Sequence, residues 1–231
     1  MTETNPATRS PWLINDDHHV ELSCGACNAT LDLADPASGV SALCFDGHAV
    51  EGALWRVTLG ERPQLAESYA RGADLVAVYD PTEGFPFRTR LVWECEALDR
   101  GVRLTLTCSV QTHLLDTSPQ LGVASDLGAE LIDAEQRDAD AGAMPLGARW
   151  LCRGGAAGVA CFEAAHPADL SGALIEPLGA EGRRSLGTAF LEKGVICCGR
   201  LVALVLPPDA RLADALPHYE RFVAAELPLT T

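Results

Sequence analysis

Lysine is nearly missing from this chain: Lys193 is the only one in 231 residues, so arginine supplies almost all of the positive charge. The 17 basic residues face 32 acidic ones, a formal net charge of −15. That balance excludes the clustered basic surface through which a protein grips nucleic acid or an anionic membrane. No apolar run approaches the roughly 20 residues of a membrane-crossing helix. Met1–Ser10 is polar and lacks an apolar signal core, so secretion is not expected. Residues 1–11 read as a disordered lead-in, and 12–231 as a single domain. The usual catalytic signatures are also missing. There is no glycine-rich phosphate loop, no GxSxG, no HExxH and no dinucleotide fingerprint between a strand and a helix. No repeat of 20 to 50 residues is visible, which argues against a propeller or solenoid.

Cysteine is plentiful by contrast. Nine are scattered along the chain, mostly inside apolar strand patterns, where a free thiol behaves as a small hydrophobe. Without a signal segment, reduced thiols in a cytoplasm are the expectation. Cys24-Gly25-Ala26-Cys27 has the spacing of half a zinc site. No second CxxC or HxxxH completes it, and His18, His19 and Cys44 are the nearby candidates. No metal is expected.

The richest segment is Phe87–His113. Phe87, Leu91, Trp93, Cys95 and Ala97 alternate with Arg88, Arg90, Glu94 and Glu96. After Leu98-Asp99-Arg100-Gly101 the parity switches to apolar Val102, Leu104, Leu106, Cys108 and Val110. Two alternating runs around a Gly-containing turn predict an antiparallel hairpin with one face in a core. The apolar faces meet only if paired numbers sum to an odd value. A sum of 201 pairs Trp93 with Cys108 and Leu91 with Val110. It sets Glu96 opposite Thr105, Arg90 opposite Gln111 and Arg88 opposite His113. Two guanidiniums, an amide and an imidazole then share one surface, which is either a solvated sheet face or the floor of a cleft.

Shorter strands are expected at Trp12–Ile14, Val20–Cys24, Ala29–Leu33, Val40–Phe45, Ala53–Leu59, Gln64–Tyr69 and Ala73–Tyr79. Others follow at Val123–Ile132, Arg149–Arg153, Gly158–Glu163, Gly172–Ile175, Thr188–Glu192 and Val195–Leu206. The acidic, aperiodic stretch Asp133–Leu146 reads as a surface loop. Leu201–Leu206 is apolar throughout, so it should be a central strand covered on both faces. Only the tail, about 209–227, reads as helix: Asp209 is placed to cap it and Pro217 to restart it at its first turn. Tyr219, Phe222, Val223 and Leu227 would dock it. The fold class is all-β, a large antiparallel sandwich with a short C-terminal helix.

Two sets of ionisable groups stand out. His113 follows the polar face of the hairpin. In Gly158–Asp169 an apolar strand ends in Glu163, with His166 and Asp169 close behind. This second segment resembles the strand and loop that carry the catalytic glutamate in the aldose 1-epimerase (galactose mutarotase) family. Leu104–His113 is similar to the family's strand ending in the general-acid histidine. Leu191-Glu192-Lys193-Gly194-Val195 with the apolar strand after it resembles the closing turn and strand. His48 and Arg71 stand in by residue type for an upstream histidine and arginine. The resemblance implies a mutarotase-like supersandwich acting on a sugar, with no metal or organic cofactor. Glu163 would take the proton from the anomeric hydroxyl, and His113 would protonate the ring oxygen. Arg88, Arg90, Gln111, His166 and Asp169 would bind the substrate. The alternatives are a non-catalytic sandwich binding carbohydrate or another small ligand, and a structural domain. The enzyme requires His113 and Glu163 to face one cleft.

Overall fold

The computed structural model describes residues 10–226 apart from 116, 120, 128–131, 134–143, 147, 153–157, 172–182 and 187–190. In chain order the strands are β1 (Trp12–Ile14), β2 (His19–Cys24), β3 (Cys27–Asp32), β4 (Val40–Phe45), β5 (His48–Ala49) and β6 (Ala53–Thr58). β7 (Gln64–Arg71), β8 (Asp74–Asp80), β9 (Arg88–Leu98), β10 (Gly101–Gln111), β11 (Leu121–Asp126) and β12 (Ile132–Asp133) follow. β13 (Arg149–Cys152), β14 (Ala160–Ala165), β15 (Arg183–Leu186) and β16 (Ile196–Leu206) complete the set, with helices α1 (Pro167–Ser171) and α2 (Leu212–Ala224). Among the described residues these strands form two eight-stranded antiparallel sheets. The first runs β1-β2-β3-β4-β6-β11-β15 with β5 beside β4; the second runs β12-β13-β14-β16-β10-β9-β8-β7.

Alternation explains how the sheets meet. Trp93, Cys95, Leu104, Leu106 and Cys108 from the second sheet pack with Leu22, Leu31, Leu54 and Val57 from the first in one apolar core. Side chains also bridge the layers: Trp12 Nε1 donates to the Ala73 carbonyl at 2.7 Å, and Tyr79 Oη to that of Leu33 at 2.9 Å. β16 lies between β14 and β10, as its continuous apolarity requires. Leu201, Ala203 and Val205 enter the core between the sheets, while Val202, Leu204 and Leu206 pack under α2 with Phe162, Tyr219 and Phe222. Fully buried strands of this kind lose the polar half of the pattern.

Four expectations need correction. The tail is not alone in being helical, since α1 follows Glu163 and His166. The hairpin pairs residues summing to 199, not 201, because Asp99-Arg100 alone form the loop between Leu98 and Gly101. The apolar faces are kept, but every pair shifts by one pleat: Arg88 faces Gln111, Arg90 faces Ser109 and Glu96 faces Arg103. Gly101 is needed at this turn. Its φ is +146°, and a Cβ there would lie 2.5 Å from the Val205 carbonyl of β16. At the tail, Asp209 does not cap the helix but pairs with Arg100. Arg211 is the N-cap, with its backbone N–H held by Asp214 at 2.8 Å. Pro217 lies inside one continuous α2 instead of restarting it. Docking holds the helix together across the missing N–H: Tyr219 meets Phe162 edge-on at 5.6 Å.

Residues 1–9 of the expected lead-in, most of 133–146, the strand expected at 172–175 and most of that at 188–192 lie outside the described residues. Leu191 forms a single bridge with Thr117. Among the described residues no helix is long and apolar enough to cross a membrane.

A candidate ligand groove on the outer sheet face

The polar half of the hairpin pattern has to face away from the core, and it does so beside the equally polar β7. Glu67, Tyr69 and Arg71 alternate outward along β7, and Val78 lies between them and β9 on the same face. With Arg88, Arg90, Ser109, Gln111 and Ile196 they line a hollow of about 420 Å³. That volume suits a small ligand. Of the expected binding residues, Arg88, Arg90 and Gln111 therefore converge, and the two-residue correction in register sharpens the arrangement. Arg88 lies directly across from Gln111, and Arg90 across from Ser109.

Among the described residues, none of Arg71, Arg88 and Arg90 has a carboxylate within ion-pair distance. The carboxyl of Asp74, at the end of the same row as Arg71, is raised above its ordinary value by burial, against the pull of Arg71 and Arg90. The Ser109 hydroxyl donates to Cys198 Sγ at 3.6 Å and keeps its lone pairs for an incoming donor. Burial also raises the Cys198 thiol, which keeps it protonated and a poor nucleophile. Tyr69 is 37% exposed, an aromatic face with no core to cover it. Sequence reasoning missed Glu67 and Tyr69. Their signal was the alternation Glu67-Tyr69-Arg71 on an edge strand with few apolar residues.

Glu163 is elsewhere. It sits on the opposite face of the second sheet, between the two layers, with its side chain 2% exposed. Arg149 Nε and Nη2 both donate to Oε2, at 3.0 and 2.6 Å. Ser125 Oγ donates to Oε1 at 3.1 Å and itself accepts the Trp55 N–H at 3.1 Å. Arg184, from the first sheet, brings another guanidinium into this interior. Burial pulls its pKa below the ordinary value against the attraction of Glu163. A carboxylate with both oxygens engaged and no exposed edge is a structural ion-pair member rather than a base open to substrate.

His113 is exposed beyond the end of β10. Glu163 is level with Ala203 and Leu104 in the register. The end of β10 at Gln111 is seven residues further along, about 23 Å at 3.3 Å per residue, and His113 lies beyond it. The expected acid–base pair does not share a cleft. His166 and Asp169 do not reach the groove either; they are buried around Arg200. Asp169 Oδ2 accepts the Arg200 backbone N–H at 2.9 Å and Nε at 3.2 Å, and Oδ1 accepts Nη2 at 3.1 Å. His166 Nδ1 accepts from Arg200 Nη2 at 2.9 Å and the Ala168 N–H at 3.2 Å. Its Nε2–H therefore donates to the Val223 carbonyl at 3.1 Å. The cluster ties α1 and the end of α2 to β16.

Cys24 and Cys27 face each other across the β2–β3 turn and are buried. Burial, then Cys24 and Cys44, push the Cys27 thiol up to about 12. Among the described residues no three His, Cys, Asp or Glu side chains are grouped as metal ligands.

Comparison with known proteins gives a fold. A solved structure from Escherichia coli K12, described as a putative aldose 1-epimerase, superposes with a TM-score of 0.50 over 81% of this chain and 98% of that one, at 11% identity. The likeness is one of fold. No family model matches the sequence, and no curated protein does.

Proposed function

We propose that this chain binds a small carbohydrate-class ligand in the groove between β7 and β16. One observation carries the reading: donors from Arg88, Arg90 and Gln111 converge with an exposed aromatic ring, Tyr69, in a single hollow of small-ligand size. Guanidinium and amide donors grip ring oxygens and hydroxyls, and a tyrosine face packs against the apolar C–H face of a pyranose. The shared fold with a protein described as an aldose 1-epimerase supports a sugar as ligand. The engagement of both Glu163 oxygens by Arg149 and Ser125 speaks against epimerase chemistry through Glu163 and His113. The reading favours a binding sandwich over both the expected enzyme and a purely structural domain.

Thermal unfolding against a panel of neutral, phosphorylated and acidic sugars tests it. A ligand at 100 times its Kd adds about 2.7 kcal/mol, or roughly 5–11 °C for a chain of this length. Tyr69→Ala and Gln111→Ala should abolish the shift without lowering the unliganded Tm. A shift that survives both substitutions would place the ligand elsewhere. No shift with any sugar would leave the structural-domain alternative.

A further inference from the structure

Resting on the groove reading, we propose that its ligand carries a carboxylate or phosphate, held between Arg88 and Arg90. The charge arrangement supports this. In a protein with nearly twice as many acids as bases, five guanidiniums away from the groove are matched. Arg103 pairs with Glu96 at 2.7 Å, Arg221 with Glu96 at 2.7 Å and Arg100 with Asp209 at 2.7 Å. Arg149 and Arg200 are matched in the interior by Glu163 and Asp169. Three guanidiniums line the groove without an ion pair among the described residues, and a single carboxylate, Glu67, lines it with them. Glu94, further along β9, is drawn towards Arg103 at 3.9 Å.

Three like charges gathered on one partly enclosed surface repel one another, and a bound anion relieves that repulsion. Arg88 and Arg90 leave β9 on the same face two residues apart, about 7 Å. From that spacing two long side chains can close on one small anion. Each planar fork matches the oxygens of a carboxylate or phosphate in bidentate geometry. Gln111, directly across from Arg88, adds an amide donor, and Arg71 approaches from the opposite wall. Val78 and Ile196 add an apolar edge to the same hollow. Tyr69 and Glu67 are then left for the uncharged ring and its hydroxyls.

Calorimetric titration with glucose, glucuronate and glucose 6-phosphate separates the outcomes. At least one of the two anions should bind about tenfold or more tightly than glucose, and comparing the two tells carboxylate from phosphate. Arg90→Gln and Arg88→Gln, neither of which breaks an ion pair among the described residues, should each remove most of that advantage, read as the ratio of anion to glucose affinity within the same variant, with the Tm unchanged. Equal binding of all three, lost in Tyr69→Ala, would overturn the anion assignment and leave the groove reading standing. An anion preference that persists in both glutamine variants would also overturn the assignment. Failure of all three probes to bind would overturn both.

Discussion

Replacing Glu163 with alanine separates a structural carboxylate from a catalytic one. In the native protein this side chain accepts two hydrogen bonds from Arg149 and one from Ser125, with Arg184 nearby. Truncation leaves the Arg149 guanidinium, 15% exposed, without its counter-charge, and leaves the Ser125 hydroxyl without its acceptor. Removing one partner of a buried ion pair costs about 3–5 kcal/mol. For a chain of this size each kcal/mol corresponds to about 2–4 °C in Tm, so the variant should unfold about 6–20 °C lower. Calorimetry or far-ultraviolet circular dichroism reads this directly. Glu163→Gln should recover only part of the loss, because an amide keeps the shape but not the charge. Ligand affinity in the groove should stay unchanged at temperatures where the variant is folded, since the two sites lie on opposite faces of one sheet. A variant with native Tm that has lost a sugar-directed activity would refute this reasoning and restore Glu163 as a base.

Other outcomes follow from the same geometry. His113→Ala should leave both ligand affinity and Tm unchanged, because the ring is exposed and is not among the residues that line the groove; titration and a melting curve check it. Asp169→Ala should cost about 3–5 kcal/mol by stranding Arg200, measured by urea unfolding. Gly101→Ala should cost at least about 1–3 kcal/mol for a backbone conformation that only glycine tolerates well, before the clash with the Val205 carbonyl is counted. His218 is held below its ordinary value near 6.5, by burial first and then by Arg221 and Arg103, with Glu96 and Asp99 opposing. The unfolded chain therefore takes up this proton at a higher pH than the folded one. Stability should fall as the pH drops below about 6.5, and His218→Gln should flatten that part of the curve. A slope unchanged in the variant would remove His218 as its source.

What could be read in advance depended on how many faces of each strand are buried. β9 and β10 bury one face, so alternation exposed Arg88, Arg90 and Gln111 as a group before any coordinates. Parity constrains a hairpin only to steps of two, however, and the choice between 201 and 199 rests on loop geometry that Asp99-Arg100 do not announce. β14 is buried on both faces, so nothing in Ala160–Ala165 shows whether Glu163 points at the helix layer or between the sheets. Its partner Arg149 is 14 residues away, and Arg200 is 31 residues from Asp169. Contacts of that range come from sheet order, which local periodicity does not encode. A carboxylate ending an apolar strand looks the same whether it awaits a substrate or an arginine.

β7 has a second consequence. It is the last strand of its sheet, with β8 on one side and, among the described residues, no strand hydrogen-bonded on the other. Such a margin invites another polypeptide to zip onto it, and charged side chains are a common deterrent. Glu67 and Arg71 thus act as gatekeepers against self-association as well as lining the hollow. Neutralising them to redesign specificity would risk polymerisation along that margin.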